Sequence, residues 1–216
     1  MTFEHPYTIE PSDPEWPSMI TATEIPGLLI YERPTFPDDR GFFREPLEKR
    51  DLEKVLGRDI TVVQWNHSRS IPGVIRGFHA EPWEKMVYVA HGEVLAAIVD
   101  LRIDSPAFGK VVTVELGERH RRTLFLPLGM GNSFCITGDE PADYVYLVTA
   151  YYAGLPSPSV SLLDPMLTAQ FGGWPLANPI ISEKDRAHPT LAAQYSQQVD
   201  LSKYPWLNGN SPHSVK

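Results

Sequence analysis

The sequence has almost no cysteine and no long apolar run, and both absences restrict what the chain can be. Cys135 is the single cysteine among 216 residues, so the chain cannot form an intramolecular disulfide or a cysteine-based metal site. No apolar stretch approaches the roughly 20 residues that a membrane-spanning helix needs. The first residues, Met1 to Pro6, lack the basic and then apolar segments of a signal peptide. We therefore expect a cytoplasmic protein that does not enter a membrane.

Positive charge is also scarce. The chain has 19 Lys and Arg residues against 27 Asp and Glu residues, which gives a formal net charge of −8. Proteins that bind nucleic acid through its phosphates need a clustered positive face. We expect no nucleic-acid partner. A small anionic ligand remains compatible with this composition, because it needs only a few cations close to it.

Short segments rich in β-branched and aromatic residues dominate the middle of the chain. They lie at residues 28–31, 60–65, 86–90, 94–99, 111–116, 123–126, 132–136 and 144–152. Turn residues separate them, and His91-Gly92-Glu93 predicts a hairpin between two of the strands. Many short strands at this spacing predict an all-β jelly roll, which is a cupin-like double-sheet barrel. The interior of such a cup is the expected place for chemistry.

The helical signals are few and the chain ends differ from its middle. Residues 46–56 have apolar side chains at helical spacing and Gly57 as a stop. Ser182 predicts the cap of a short helix that breaks before Pro189. Residues 1–26 are rich in proline and predict an extended N-terminal arm, residues 27–195 a jelly-roll domain, and residues 196–216 a polar C-terminal tail.

The histidines do not have the spacing of a metal site. Jelly-roll cups often bind a metal through a His-x-His pair, but the strand here contains His79 followed by Ala80 and Glu81. One imidazole without clear partners is a poor ligand set for a transition metal, so we expect no metal. A metal-dependent jelly-roll oxygenase stays an alternative, and elemental analysis of the protein would detect it.

His79 is the strongest candidate for catalysis, although a hydrogen-bonded structural histidine is the simpler interpretation of that residue alone. Lys85 lies at an even offset from it. Alternate residues of a strand share a face, so both side chains can point into the cup if the strand has no bulge. A histidine with a cation and a carboxylate nearby has the controls that a general base needs.

Several motifs in order along the chain resemble those of the dTDP-4-dehydrorhamnose 3,5-epimerases. The match extends over about residues 24–192, and it is specific because the motifs occur together. The matching segments are Asp39-Arg40-Gly41-Phe42-Phe43-Arg44-Glu45, Gln64-Trp65-Asn66-His67-Ser68-Arg69-Ser70, Gly73-Val74-Ile75-Arg76-Gly77-Phe78-His79, Gly92-Glu93-Val94 through Arg102, Ser105-Pro106-Ala107-Phe108-Gly109, and Ser182-Glu183-Lys184-Asp185 with Pro189.

The resemblance implies a homodimer with exchanged strands, which acts on a dTDP-linked 4-keto-6-deoxyhexose with neither metal nor coenzyme. By position, it makes His79 the base, Asp185 the carboxylate that orients it, Tyr146 the acid on the opposite ring face, and Lys85 the cation that stabilises the enolate. Of the implied substrate-binding residues, the first three belong to the exchanged strand and the last stacks on the nucleobase. They are Arg40, Phe43, Glu45, Gln64, Asn66, Arg76, Asn132 and Tyr152.

Two positions depart from the more familiar branch of that family. A histidine stands there in place of Asn132, and an aspartate in place of Ala96. We interpret both changes as a branch difference, because the segment from His79 to Lys85 changes with them. A mono-epimerase acting at C3 or C5 only, or a non-catalytic binder of nucleotide sugars, remains an alternative. Tyr144 shares a strand face with Tyr146 and competes for the role of acid.

Overall fold

The structure is a computed structural model, and it describes residues 6–8, 18–154 and 157–208. Its strands follow the burial that their sequences predict. In the strand Gln64–Ser70, half-buried polar residues alternate with exposed residues such as Trp65 and His67, as expected for a strand with one face against the core. The strand Met130–Ile136 is buried at every position, because other elements cover both of its faces.

Thirteen strands form most of the regular secondary structure of the described residues. They are β1 (Pro6–Thr8), β2 (Met19–Ala22), β3 (Leu29–Glu32), β4 (Phe36–Asp38), β5 (Gly41–Phe43), β6 (Gln64–Ser70), β7 (Ile75–Ala80), β8 (Lys85–His91), β9 (Glu93–Asp100), β10 (Val111–Gly117), β11 (Arg122–Leu126), β12 (Met130–Ile136) and β13 (Ala142–Val148).

Two antiparallel sheets face each other and form the double-sheet barrel. The larger sheet has the strand order β1-β2-β3-β11-β8-β13-β6, and the smaller has the order β10-β9-β12-β7. Apolar side chains of both sheets meet between them, including Val87 and Leu124 from the larger sheet and Ile98 and Phe134 from the smaller. This burial is the main stabilising contribution to the fold, and it confirms the predicted all-β jelly roll.

The predicted hairpin at His91-Gly92-Glu93 is wrong. Strand β8 pairs with β11 and β13, whereas β9 pairs with β10 and β12, so the chain passes from one sheet to the other at this point. Gly92 has φ 77°, and a Cβ there would lie 2.7 Å from the carbonyl oxygen of Pro141. The glycine therefore fits a close crossing between sheets, which has the same sequence signal as a tight turn.

Two other strand boundaries differ from the prediction. The segment predicted to start at Ile60 becomes a strand only at Gln64, and the segment predicted to reach Tyr152 ends at Val148. In both places β-branched and aromatic residues continue beyond the pairing strands, and Tyr151 and Tyr152 are exposed. Composition alone does not tell where the partner strand ends.

The helices are short and peripheral, as predicted. Helix α1 (Lys49–Leu56) has Gly57 in the left-handed conformation at its end and packs on the outer side of the larger sheet through Leu52. It begins three residues later than the sequence suggests. The remaining helices are α2 (Pro165–Thr168), α3 (Glu183–Arg186), α4 (Leu191–Tyr195) and the 3₁₀ turns Ala169–Phe171, Leu201–Lys203 and Pro205–Asn208. These cover the outer side of the smaller sheet.

The ends of the chain are described in part. Within the predicted arm, β2 pairs with β3 and so belongs to the larger sheet. Within the predicted tail, Leu207 is 4% exposed and packs in the same apolar cluster as Phe108. The rest of both segments, residues 1–5, 9–17 and 209–216, lies outside the described residues. Over the described chain, no helix has the length and apolar character that crossing a bilayer requires.

Candidate active site

A cavity of about 140 Å³ opens between the two sheets. Strands β6, β7, β8, β12 and β13 all contribute to it, so its side chains come from both sheets. Polar and charged groups dominate an otherwise apolar interior. The lining residues are Ser68, Arg76, His79, Glu81, Lys85, Asn132, Phe134, Tyr144 and Tyr146.

His79 in this cavity forms a hydrogen bond with Asp185, and the two atoms, Nε2 and Oδ1, are 2.7 Å apart. Asp185 belongs to α3, whose N-cap Ser182 accepts a hydrogen bond from the Asp185 backbone N–H at 3.1 Å. This cap fixes the direction in which the carboxylate leaves the helix. The bond occupies Nε2 of His79 and leaves Nδ1 as the ring nitrogen available to a ligand.

Asp185 stays ionised although it is nearly buried, with a side chain 6% exposed. Burial raises the pKa of Asp185, but the hydrogen bond and the charge of His79 outweigh it, and the pKa lies below its ordinary value. An ionised Asp185 accepts the proton of Nε2, so neutral His79 has its free electron pair on Nδ1.

Strand β7 places both Arg76 and His79 at the cavity, although an odd offset should put them on opposite faces. The alternation is interrupted at Gly77, which has φ 125°, and the pairing with β12 shifts register between Asn132 and Phe134. A Cβ on Gly77 would lie 2.4 Å from Cβ of Ser133. Only glycine allows the two strands to approach this closely.

Lys85 faces His79 from the other sheet. The prediction that His79 and Lys85 both line the cup is correct. The prediction that they do so as alternate residues of one strand is wrong, because His79 is on β7 and Lys85 begins β8 in the opposite sheet. Lys85 is 5% exposed, forms an ion pair with Glu81, and lies 5.1 Å from the ring centre of Tyr146. Burial lowers the pKa of Lys85, and the charge of Glu81 opposes this effect.

Two tyrosines of β13 reach the cavity, and their environments differ. Tyr144 is fully buried, stacks on Phe134 with ring centres 3.9 Å apart, and donates a hydrogen bond from its hydroxyl to Oδ1 of Asn132 at 2.9 Å. Tyr146 is half-buried. Burial and then the charge of Glu81 raise the pKa of Tyr146, whereas Arg76 lowers it. The net direction is upward, so the phenol of Tyr146 keeps its proton at neutral pH.

The predicted binding residues of β6 and β7 are close to the cavity. Gln64 donates a hydrogen bond to Asn66 at 2.6 Å, and both are on the half-buried face of β6 that also holds Ser68. Arg76 donates from Nε to the Ser70 hydroxyl at 2.9 Å. Ser70, Ser68 and Asn66 thus extend a polar strip from the cavity along the edge strand of the larger sheet.

The remaining predicted binding residues do not line the cavity within this chain. Strands β4 and β5 form a separate two-stranded sheet, in which Phe43 is 57% exposed and Arg40 pairs with Asp38 at 2.6 Å. Glu45, just after this hairpin, pairs with Arg33 at 3.0 Å. Tyr152 is 71% exposed, with its ring edge to Trp83.

Glu81 and His188 belong to this region, but sequence reasoning assigned them no role. Glu81 follows His79 at an even offset, which was the available signal. His188 lies edge-on to His79 with ring centres 5.8 Å apart. Ligand atoms of His79, Asp185 and His188 are within 4.8 Å of one another, a spacing compatible with a metal ion. Such an ion would have to replace the hydrogen bond between His79 and Asp185.

Comparisons with known proteins agree on one family. The family profile described as dTDP-4-dehydrorhamnose 3,5-epimerase matches residues 22–193. The dTDP-4-dehydrorhamnose 3,5-epimerase of Shigella flexneri is 39% identical over 170 residues, which cover 77% of this chain and 92% of that protein.

Solved structures give the same result. The dTDP-6-deoxy-D-glucose-3,5-epimerase of Legionella pneumophila, in complex with dTDP-4-keto-L-rhamnose, is 35% identical with a TM-score of 0.75, covering 86% of this chain and 96% of that one. A double mutant of a 3'-monoepimerase from Streptomyces bikiniensis, in complex with dTDP, is 28% identical with a TM-score of 0.74, covering 85% and 94%.

Proposed function

Because the chain belongs to the dTDP-4-dehydrorhamnose 3,5-epimerase family of isomerases, we propose that it epimerises a dTDP-linked 4-keto-6-deoxyhexose at C3 and C5. The product would serve deoxysugar biosynthesis of the dTDP-L-rhamnose type. The observation that carries the proposal is the 2.7 Å bond between His79 and Asp185 at a cavity that also holds Lys85 and Tyr146.

His79 is the proposed base. The protons at C3 and C5 are both next to the C4 ketone, so removing either one gives an enolate. Histidine is the side chain that most often serves as a general base or acid in enzymes. The ionised Asp185 holds the ring with Nδ1 free and stabilises the imidazolium that forms.

Tyr146 is the proposed acid on the opposite face of the sugar ring. Its phenol remains protonated at neutral pH, and it is only partly buried within the cavity. Tyr144 is less suited to this role, because its hydroxyl already donates to Asn132 and its ring is stacked on Phe134. We therefore assign proton delivery to Tyr146 and a supporting role to Tyr144.

Lys85 is the proposed stabiliser of the enolate oxygen. Its ammonium is nearly buried, so its charge acts on the growing oxyanion with little screening by water. Loss of one such preorganised donor typically costs about 100- to 1000-fold in rate. The nearby groups Gln64, Asn66, Arg76 and Asn132 would hold the sugar and its first phosphate.

A homodimer would explain the residues that do not line this cavity. The hairpin of β4 and β5 pairs with no other strand of the described chain and presents Phe42 and Phe43, 46% and 57% exposed. Clustered exposed aromatic side chains are typical of an interface. We propose that Arg40, Phe43 and Glu45 reach the diphosphate and base in the partner's cavity, and that Tyr152 stacks on the nucleobase.

We also propose a cytoplasmic location, which the charged dTDP-linked substrate supports because charge strongly opposes passage through a bilayer. The division into an arm at 1–26, a catalytic domain at 27–195 and a tail at 196–216 stays a proposal. The pairing of β2 and the burial of Leu207 both support packing of these end segments on the domain.

A mono-epimerase is the second candidate function. Asn132 lines the cavity where the familiar branch of the family has a histidine, and its amide oxygen binds the Tyr144 hydroxyl. A polar change at this position can alter how the sugar ring is held, and hence which carbon meets the base. The fold similarity to a 3'-monoepimerase is compatible with this alternative.

Proton exchange in deuterated water tests the proposal. The protein is incubated with dTDP-4-keto-6-deoxyglucose, and C3 and C5 are followed by proton NMR. We expect deuterium at both carbons and its loss in His79→Asn. His67→Asn is the matched control, because His67 pairs with Asp143 at 3.0 Å outside the cavity and should keep full exchange.

The other outcomes separate the alternatives. Exchange at one carbon only would favour the mono-epimerase. No exchange together with tight dTDP binding would indicate a different sugar or a non-catalytic binder. Neither exchange nor dTDP binding would contradict the dTDP-linked substrate altogether.

A further inference from the structure

Glu81 is the charged residue lining the cavity to which the proposed reaction assigns no role. Among the described residues that line it, Glu81 is the one carboxylate, and it forms an ion pair with the nearly buried Lys85. Its own side chain is 23% exposed. An acidic group beside the cation that should stabilise an enolate reduces the local positive charge, which by itself opposes the chemistry.

The reason for this acidic group is the burial of Lys85. An ammonium group that loses its water tends to lose its proton as well, and burial is the largest influence on the Lys85 pKa, in the downward direction. Glu81 opposes it through its negative charge, which is paired with the ammonium. Among the described residues, Glu81 is also the acid paired with this lysine, so removing its charge would leave the buried ammonium without an opposite charge.

Glu81 acts on the proposed acid as well. Burial raises the pKa of both Tyr146 and Tyr144. The negative charge of Glu81 raises each pKa further, by less than burial does. The effects on lysine and tyrosine have the same sign, because a nearby negative charge stabilises an ammonium and destabilises a phenolate. Both groups therefore keep their protons to higher pH than they would without Glu81.

We propose that Glu81 is a positioning residue for the reaction, whose carboxylate keeps the Lys85 ammonium charged and directed into the cavity and keeps Tyr146 protonated. This rests on the proposed function of the same site. Glu81 does not touch the reacting carbons in the proposal; it acts through Lys85 and Tyr146, and it sets the upper pH limit of the activity. The titratable or charged groups that face this pair from the surrounding elements are Arg76, His79, Tyr144, Tyr146 and, through His79, Asp185.

The test is the pH profile of kcat/KM for deuterium exchange in Glu81→Gln, which removes the charge and keeps the size. An opposite charge at close range shifts a pKa by about 1–3 units, so the basic limb should move to lower pH by at least one unit. Glu84→Gln is the matched control, because Glu84 pairs with Arg58 and does not line the cavity. Its basic limb should coincide with that of the wild type.

A purely structural role gives a different result. It would lower the melting temperature and the rate together at every pH, with the basic limb in its wild-type position, and that outcome would overturn the proposal. If Glu81→Gln does not fold, Glu81→Asp takes its place. The shorter side chain withdraws the carboxylate from Lys85, so the limb should shift in the same direction by a smaller amount, and an unshifted limb would again contradict us.

The wild-type profile keeps the two proposals apart. Absence of exchange in the wild type at all pH values would be a failure of the proposed function. Exchange in the wild type with an unshifted limb in both Glu81 variants would be a failure of the role of Glu81 alone.

Discussion

Replacing Asp185 by asparagine changes the partner of the proposed base and keeps the shape of the side chain. Oδ1 of Asp185 is 2.7 Å from Nε2 of His79, and the Asp185 side chain is 6% exposed, so water cannot easily take its place. An asparagine amide at this position can donate to Nε2. The imidazole would then carry its proton on Nδ1, the nitrogen that should accept the substrate proton.

The expected loss is large because the base has the wrong tautomer. General base catalysis contributes about 10²–10⁴-fold, and a tautomer change in a comparable histidine–carboxylate pair costs about 10⁴-fold. We expect Asp185→Asn to lower kcat for deuterium exchange by roughly 10³–10⁴-fold, equivalent to about 4–5.5 kcal/mol of transition-state stabilisation. The double variant His79→Asn/Asp185→Asn should be no slower than His79→Asn, because the pair acts as a unit.

The control and the refuting result both use the same assay. Asp143→Asn removes the carboxylate from the His67 pair outside the cavity and should leave the rate unchanged. If Asp185→Asn keeps more than about a tenth of the activity, or slows the His79→Asn variant further, Asp185 does not act through His79.

The same variant has a pH-dependent stability. The pKa of Asp185 is depressed in the folded protein, so its stabilising contribution is present above the ordinary carboxyl pKa of about 3.9 and is lost as pH falls through the lower folded value. Melting curves should therefore show the wild type and Asp185→Asn converging as pH decreases below about 4. A difference that grows towards acid would contradict the assigned direction.

Two further predictions concern the tyrosines and a glycine. Tyr146→Phe should slow exchange by about 100-fold or more, as expected for loss of a general acid. Tyr144→Phe should affect the rate less and should cost about 1 kcal/mol of stability, because it removes the hydrogen bond to Asn132. Equal rates for the two variants would refute the assignment of the acid. Gly77→Ala should destabilise the fold by roughly 2–5 kcal/mol, measured by denaturant unfolding, because its Cβ would lie 2.4 Å from Cβ of Ser133 at a φ of 125°.

Most strands of the two facing sheets could be predicted from the sequence, because alternation and turn residues are local properties. Strands β1, β2, β4 and β5 are not among the predicted segments. The assignment of strands to sheets could not be predicted. Gly92 reads as a hairpin turn, yet the chain crosses there between sheets. Strand pairing depends on segments far apart in the chain: β8, for example, pairs with β11 and β13. The local composition of a strand does not indicate which distant strands will pair with it.

The candidate site shows the same division. The contact of His79 with Asp185 joins residues 106 positions apart, and only the resemblance to a family could suggest it. The even offset between His79 and Lys85 predicted that both line the same cavity, and they do. The two residues do not share a strand, however, because they face each other from different sheets. Glu81 lies at an even offset from His79, but the sequence shows it only at the place where a metal site would have a second histidine.

The arrangement of the two sheets bears directly on inversion. In the proposed reaction the proton leaves one face of the sugar ring and another arrives on the opposite face. His79 comes from β7 in the smaller sheet, whereas Lys85 and Tyr146 come from β8 and β13 in the larger. In the proposed reaction, base and acid would therefore reach a ring bound between the sheets from opposite sides.

This geometry separates two properties of the site. In the proposed reaction, the pair of His79 and Asp185 would determine whether a proton is removed, because it would supply the base. Which carbon meets that base would depend on how the ring is seated, and the proposed groups for this seating are Asn132 and the Tyr144 hydroxyl that donates to it. Single and double epimerases could thus share the same base and acid. Asparagine in place of histidine at the position of Asn132 would alter which carbons exchange their protons, without removing the base or the acid. The ratio of deuterium at C3 to deuterium at C5 should accordingly change in Asn132→His, while His79→Asn should abolish exchange at both.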